Sequence, residues 1–121
     1  REVPDLIPAV KDLDREILAA VEAGGGLEMG SWHTTTKCRT AHCVAGWSVT
    51  LAGEAGGDLE NELGGTEDAA HLIFAASGCY PPPAFYPSDY NGDDYTLGMD
   101  VINARALAAL RARVAAQEPQ P

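Results

Sequence analysis

Glycine punctuates this chain more forcefully than any other residue. Gly24-Gly25-Gly26, Gly53 with the Gly56-Gly57 pair, Gly64-Gly65 and Gly78 interrupt it at short intervals. Glycine inside a helix costs about 1 kcal/mol relative to alanine, and it readily adopts the left-handed conformation that ends helices. A chain cut in this way is confined to short elements. Between the cuts, apolar residues recur at three- and four-residue steps, as a helix packed on one side requires. They are Leu6, Val10, Leu13, Ile17 and Val21; then Val44, Trp47 and Leu51; then Leu72, Ile73 and Ala76. Met99, Ile102, Ala106, Leu110 and Val114 form the last stripe. The expected fold is mostly α, a single domain over 1–121 with frayed ends at 1–4 and 118–121. It is a small bundle of about four helices with a long Pro/Tyr-rich loop.

Local signals set the expected boundaries. Asp5 caps the first helix, and Pro8 is tolerated in its first turn because the missing N–H has no partner there. Leu27 to Lys37 has no helical period, and the threonines at 34 to 36 favour a short strand. Thr40 is the expected cap of the next helix, which Gly53 or Gly56-Gly57 ends, with a short helical turn from Asp58 to Leu63. Thr66 caps a further helix, with Glu67 and Asp68 placed to suit its dipole. The last helix spans Leu97 to Gln117. Between these two, Cys79 to Ser88 carries Pro81-Pro82-Pro83 and cannot be regular.

A chain of 121 residues supports one hydrophobic core without metal or disulfide staples. Its apolar runs are too short for a membrane span or a secretory leader, and the expected setting is cytoplasmic. Eighteen acids against eight bases give a net charge of −10. That disfavours direct contact with nucleic acid or an anionic membrane, because phosphate contacts need lysine and arginine. Two readings of the charge stay open: solubility alone, or an acidic face that docks on a basic protein surface.

Chemistry concentrates between Trp32 and Gly53, which holds both tryptophans together with His33, Cys38, His42 and Cys43. If Cys43 lies in a first helical turn, the helix dipole with Lys37 and Arg39 favours thiolate. Cys79 follows a helix C-terminus, so Cys43 is the thiol expected to react first. Against catalysis, Cys-x4-Cys is not the two-residue spacing of dithiol oxidoreductases, and no nearby acid is placed as a base. Buried thiols packed near Trp47 and a Cys38–Cys43 disulfide are the other readings. His33, Cys38, His42 and Cys43 supply the nitrogen and sulfur donors that zinc takes, but not at the usual Cys-x2-Cys spacing. No metal or other cofactor is expected.

Cys38-Arg-Thr40-Ala-His-Cys43-Val-Ala45-Gly46-Trp47, followed by Leu51-Ala-Gly53, resembles the Cys-x-Thr-x-x-Cys-x-Ala-Gly-Trp signature of small uncharacterised proteins from actinobacteria, other GC-rich bacteria and their phages. Ala69-Ala-His-Leu-Ile-Phe74 echoes the Ala/Leu-rich helix of such proteins. The resemblance implies a helical fold and a prokaryotic or phage origin, and it transfers no catalytic residue.

From Tyr80 to Asp100 the chain contains no Lys, Arg or His. Asp89, Asn91 and Asp93 at alternate positions, with Asp100 at the twelfth, echo a calcium loop. The echo departs from the pattern where Asp94 stands in place of the turn glycine and Asp100 in place of glutamate. An exposed turn at Asn91-Gly92 is the simpler reading. Tyr80, Phe85, Tyr86, Tyr90 and Tyr95 either hold the loop to the helices or line a docking face. Tyr86, Asp89, Tyr90, Asp93, Asp94 and Tyr95 are the candidate partner-binding residues. No phosphate-binding loop, dinucleotide fingerprint, serine-nucleophile elbow or zinc-protease motif is present. The expected function is that of a small acidic binding or modulator protein, phage- or mobile-element-encoded, with a basic protein surface as partner. The alternative is a thiol- or metal-dependent enzyme centred on Cys38, His42 and Cys43.

Overall fold

The computed structural model describes residues 7–30, 33–35, 40–92, 94 and 96–117, and within these the chain is mostly α. Helix α1 (Leu13–Ala20) starts later than its cap signal suggests. Asp5 lies outside the described residues, and residues 7–12 are not helical. A helix through Val10 needs that residue's N–H for a carbonyl four residues earlier. Here the Val10 amide donates instead to Ser77 Oγ at 2.9 Å. Asp12 then takes a left-handed φ of 54°, which aspartate tolerates better than most residues. After α1 the chain widens into a π-type turn, Val21–Gly25, where Gly24 holds φ at 113°.

Strands β1 (His33–Thr35) and β2 (Thr40–His42) pair antiparallel, with His33 opposite His42. The extended segment expected before Lys37 is therefore present. Thr40, however, belongs to the partner strand and does not cap a helix. Helix α2 (Val44–Leu51) begins at Cys43, whose Sγ accepts the Gly46 N–H at 3.4 Å. Helix α3 (Gly53–Leu63) contains Gly56-Gly57 in its interior, so the pair is no stop signal and the short turn expected from Asp58 is a full helix.

In helix α4 (Thr66–Ala76), Gly65 is the cap and Thr66 the first helical residue. The Thr66 hydroxyl is engaged elsewhere, donating to Glu60 Oε2 at 2.6 Å. Gly78 ends α4 at φ 76°, and the Cys79 N–H reaches back to the Phe74 carbonyl at 3.0 Å, a Schellman closure. The Pro/Tyr-rich loop follows, carrying one 3₁₀ turn at Pro87–Asp89. Helix α5 (Met99–Ala116) closes the fold near the expected boundaries.

Helix α2 is central, packing against α1, α3 and α4, while α1 lies on α5. Every residue from Val44 to Val49 is buried. Trp47, 7% exposed, donates its indole N–H to the Gly26 carbonyl at 2.8 Å. Leu13, Ile17, Leu59, Ile73 and Phe74 complete the core, and α5 adds Ile102, Ala106, Leu110 and Val114 at four-residue steps. Asn103 ties α5 to the approach to β1, accepting the Met29 N–H at 2.8 Å and donating to Glu28 Oε2 at 2.9 Å. No helix among the described residues is long and apolar enough to cross a membrane.

Gly56 shows why α3 tolerates glycine. A methyl group there would strike the Val49 carbonyl oxygen of α2 and come within 2.8 Å of Ala52 Cβ, whereas one at Gly57 would meet nothing within 4 Å. Gly56→Ala should therefore lose about 1–3 kcal/mol of stability by overpacking. Gly57→Ala should gain up to about 1 kcal/mol from helix propensity. Denaturant unfolding of the two variants checks the opposite signs.

Candidate functional site

The described part of the cysteine–histidine block, His42 and Cys43, is a packing centre. His42 is 6% exposed and Cys43 1% exposed. The His42 ring stands edge-on to Trp47, centroids 4.6 Å apart, and its Nε2 lies 3.5 Å from Thr50 Oγ1. Cys43 does occupy a helix N-terminus, as the sequence suggests, but burial pushes its thiol up and outweighs the opposing bond from the Gly46 amide. The expected thiolate is thus disfavoured where the dipole alone would promote it. Cys38, Lys37 and Arg39 lie outside the described residues, and of His33 only the backbone is described. Among the described residues, no group of three or more His, Cys, Asp or Glu side chains is arranged to hold a metal.

A second polar centre, not singled out in the sequence, joins α1 to α5. Asp14 is fully buried. Arg113 grips it with two bonds, Nε to Oδ1 at 3.2 Å and Nη2 to Oδ2 at 3.0 Å, and Gln117 also donates to Oδ2. The guanidinium further donates to the carbonyls of Pro81 at 3.0 Å and Cys79 at 3.1 Å. A depression of about 440 Å³ lies beside it, bordered by Asp12, Tyr80, Arg113 and Gln117. The hydrogen-bonding groups of Arg113 are directed at the protein itself, so this depression offers a ligand little to bind.

The Pro/Tyr-rich loop forms a different groove. Phe85 is 5% exposed and sits against Phe74 at 6.0 Å and edge-on to His71 at 5.1 Å. Tyr80 and Tyr86, by contrast, are 60% and 43% exposed. The Tyr86 phenol donates to Glu67 Oε1, which raises its pKa, and the Tyr86 amide donates to Asp89 Oδ2 at 3.1 Å. Glu67 Oε2 lies 3.8 Å from His71 Nε2, one turn along α4. Glu67, His71, Tyr80, Phe85, Tyr86 and Asp89, with the prolines, line a groove of about 300 Å³.

The six candidate partner residues therefore divide. Tyr86 and Asp89 lie at the groove. Tyr90 is half-buried and donates to the Ala84 carbonyl at 2.7 Å, while Arg105 donates to the Tyr90 carbonyl at 3.0 Å. Asp94 closes a local turn by accepting both the amide and the hydroxyl of Thr96, which hold its carboxyl below the usual range. Asp93 and Tyr95 lie outside the described residues. Tyr90 and Asp94 thus order the loop, whereas Tyr80 and Tyr86 remain exposed. Glu67 and His71 were missed as groove residues. Their signal was the i, i+4 spacing on a half-polar helix.

The chain matches no family model, and no curated protein or solved structure shows significant similarity to it.

Burial predicts the reverse of the reactivity order expected from helix position. Under reducing, native conditions, iodoacetamide should modify half-buried Cys79 well before Cys43, with peptide mass spectrometry giving the order. Modification of Cys43 first would mean that its environment opens in solution. Tyr90 provides a test at alkaline pH. Burial, with the Asp89 charge adding, pushes its phenol from 10 to about 12. The folded state holds that proton more tightly than the unfolded chain. The associated stability is complete below pH 10 and is lost as pH rises toward 12. Phenolate absorbance should show a last ionisation near 12 that Tyr90→Phe removes, together with part of the alkaline loss of stability.

Proposed function

We propose that this protein is a small acidic binding module that modulates a protein partner by docking on its basic surface. The docking face is the loop groove with its flanking carboxylates. One observation carries the reading: two exposed tyrosines, Tyr80 and Tyr86, border a groove that also presents Glu67 and Asp89 and, among the described residues, has no lysine or arginine in its lining. Exposed aromatics give contact area at small entropic cost, and the acids steer a basic partner toward it. The net charge of −10 extends that steering beyond the groove and repels nucleic acid and anionic membranes. The Cys-x-Thr-x-x-Cys-x-Ala-Gly-Trp resemblance fits a phage- or mobile-element-encoded modulator working in a bacterial cytoplasm. Thiol or metal chemistry at Cys38, His42 and Cys43 has less support, because His42 and Cys43 are buried.

Tyr80→Ser and Asp89→Asn test the reading. The asparagine can still accept the Tyr86 amide, so folding should be unchanged. Immobilised wild-type protein should retain basic proteins that elute as salt rises, since surface charge is screened over about 8 Å at physiological ionic strength. The two variants should lose those same proteins, and Asp89→Asn should slow their association a few-fold. Equal retention by wild type and variants, or retention insensitive to salt, would remove the docking face from this loop.

A further inference from the structure

We infer that the groove between α4 and the Pro81–Pro83 segment is a socket for one arginine side chain of the basic partner; this rests on the docking reading above. Size is the first reason. A space of about 300 Å³ stands at the lower limit of ligand pockets, which run from about 300 to 1,000 Å³. It suits a single long side chain better than a nucleotide or a folded cofactor. The walls are the second reason. Tyr80, His71 and Phe85 lie in sequence of contact, with centroids 6.2 Å apart for His71–Tyr80 and 5.1 Å for His71–Phe85. Phe85 is buried and Tyr80 exposed, so an aromatic surface runs from the floor of the groove to its rim. The Tyr80 and Phe85 rings are of the kind that attract a cation over the face.

The third reason is the placement of charge. Tyr86 is fixed at both ends by acids, its amide on Asp89 Oδ2 and its phenol on Glu67 Oε1. The two carboxylates therefore stand on either side of one tyrosine, at a groove whose lining, among the described residues, contains no lysine or arginine. A carboxylate has about four acceptor positions over its two oxygens, so each acid keeps capacity for a further donor. Glu67 Oε2 faces His71 Nε2 only at 3.8 Å, longer than a hydrogen bond. A guanidinium matches this combination because it stacks flat on rings and donates in a fixed fork to carboxylates. A lysine ammonium is more strongly hydrated and has no flat face.

Titration of the full-length protein with blocked Gly-Arg-Gly, Gly-Lys-Gly and Gly-citrulline-Gly peptides, followed by aromatic and amide NMR shifts, tests the socket. The arginine peptide should shift Tyr80, Tyr86, Phe85 and His71 saturably. The lysine peptide should bind several-fold more weakly, and the neutral citrulline peptide should not bind. Glu67→Gln should weaken the arginine peptide by about tenfold, the loss of one charge-assisted contact. Tyr80→Ala, at an exposed position that leaves folding intact, should weaken it a few-fold. Absent or non-saturable shifts, equal response to all three peptides, or indifference to both substitutions would overturn the inference. If the peptide fails while Tyr80→Ser still abolishes salt-sensitive retention of basic proteins, the docking face stands and only the arginine socket falls. If both fail, both readings fall.

Discussion

A carboxylate with no access to water sets the terms for this fold. Asp14 is fully buried on α1, between the core residues Leu13 and Ile17. A lone ionised carboxylate in that position would cost several kcal/mol in lost hydration. Arg113 answers it with a two-point grip from the far end of α5. Removing one partner from such a buried pair typically costs about 3–5 kcal/mol, because the other charge is left uncompensated. The same guanidinium also holds the carbonyls of Cys79 and Pro81. Lysine could not replace it, since only the planar fork directs enough donors at fixed angles to reach acids and carbonyls together. Helix α1, the exit from α4 and helix α5 are thus registered against each other through one side chain.

That registration reaches the candidate site. Pro81 begins the run of prolines that walls the groove, and its carbonyl is set by Arg113. Beyond the groove, Arg105 sets the Tyr90 carbonyl in the same manner. Helix α5 therefore fixes both flanks of a groove to which it contributes no lining residue. The α4 side supplies the chemistry, with Glu67 and His71 one turn apart.

Legibility in the sequence follows the range of the interaction. Helix α5 and the end of α4 were readable because their causes are local: a stripe at four-residue steps, and Gly78 in a left-handed cap. The start of α1 was not, because the bond that withdraws Val10 from a helix comes from Ser77. Thr40 and Thr66 have side chains suited to capping, but one entered a strand pairing and the other bonded Glu60. Gly56-Gly57 reads as a stop until α2 is seen pressing on Gly56, where only a missing side chain permits contact. At the candidate site, composition names Tyr86 and Asp89 but does not show which of the loop's rings stay exposed. The sequence reads Glu67 only as a partner of the α4 dipole, because nothing in it shows that the loop returns over α4. Cys43 illustrates competing terms: its helix-terminal position was foreseeable, its burial was not.

The manner in which the loop is tethered bears on the affinity of whatever meets it. Phe85 and Pro83 are buried, Tyr90 bonds back to Ala84, and Arg105 and Arg113 hold carbonyls along its length. A segment of this length without regular structure would ordinarily have to surrender backbone freedom on binding, at about 1–2 kcal/mol for each residue ordered. Here these tethers take up part of that loss during folding, and the exposed Tyr80 and Tyr86 rings stand beside the buried Phe85. In the docking reading proposed above, more of the entropic burden of association then falls on the partner, so a flexible tail and a rigid surface carrying the same basic residue would differ in affinity through the tail's own ordering.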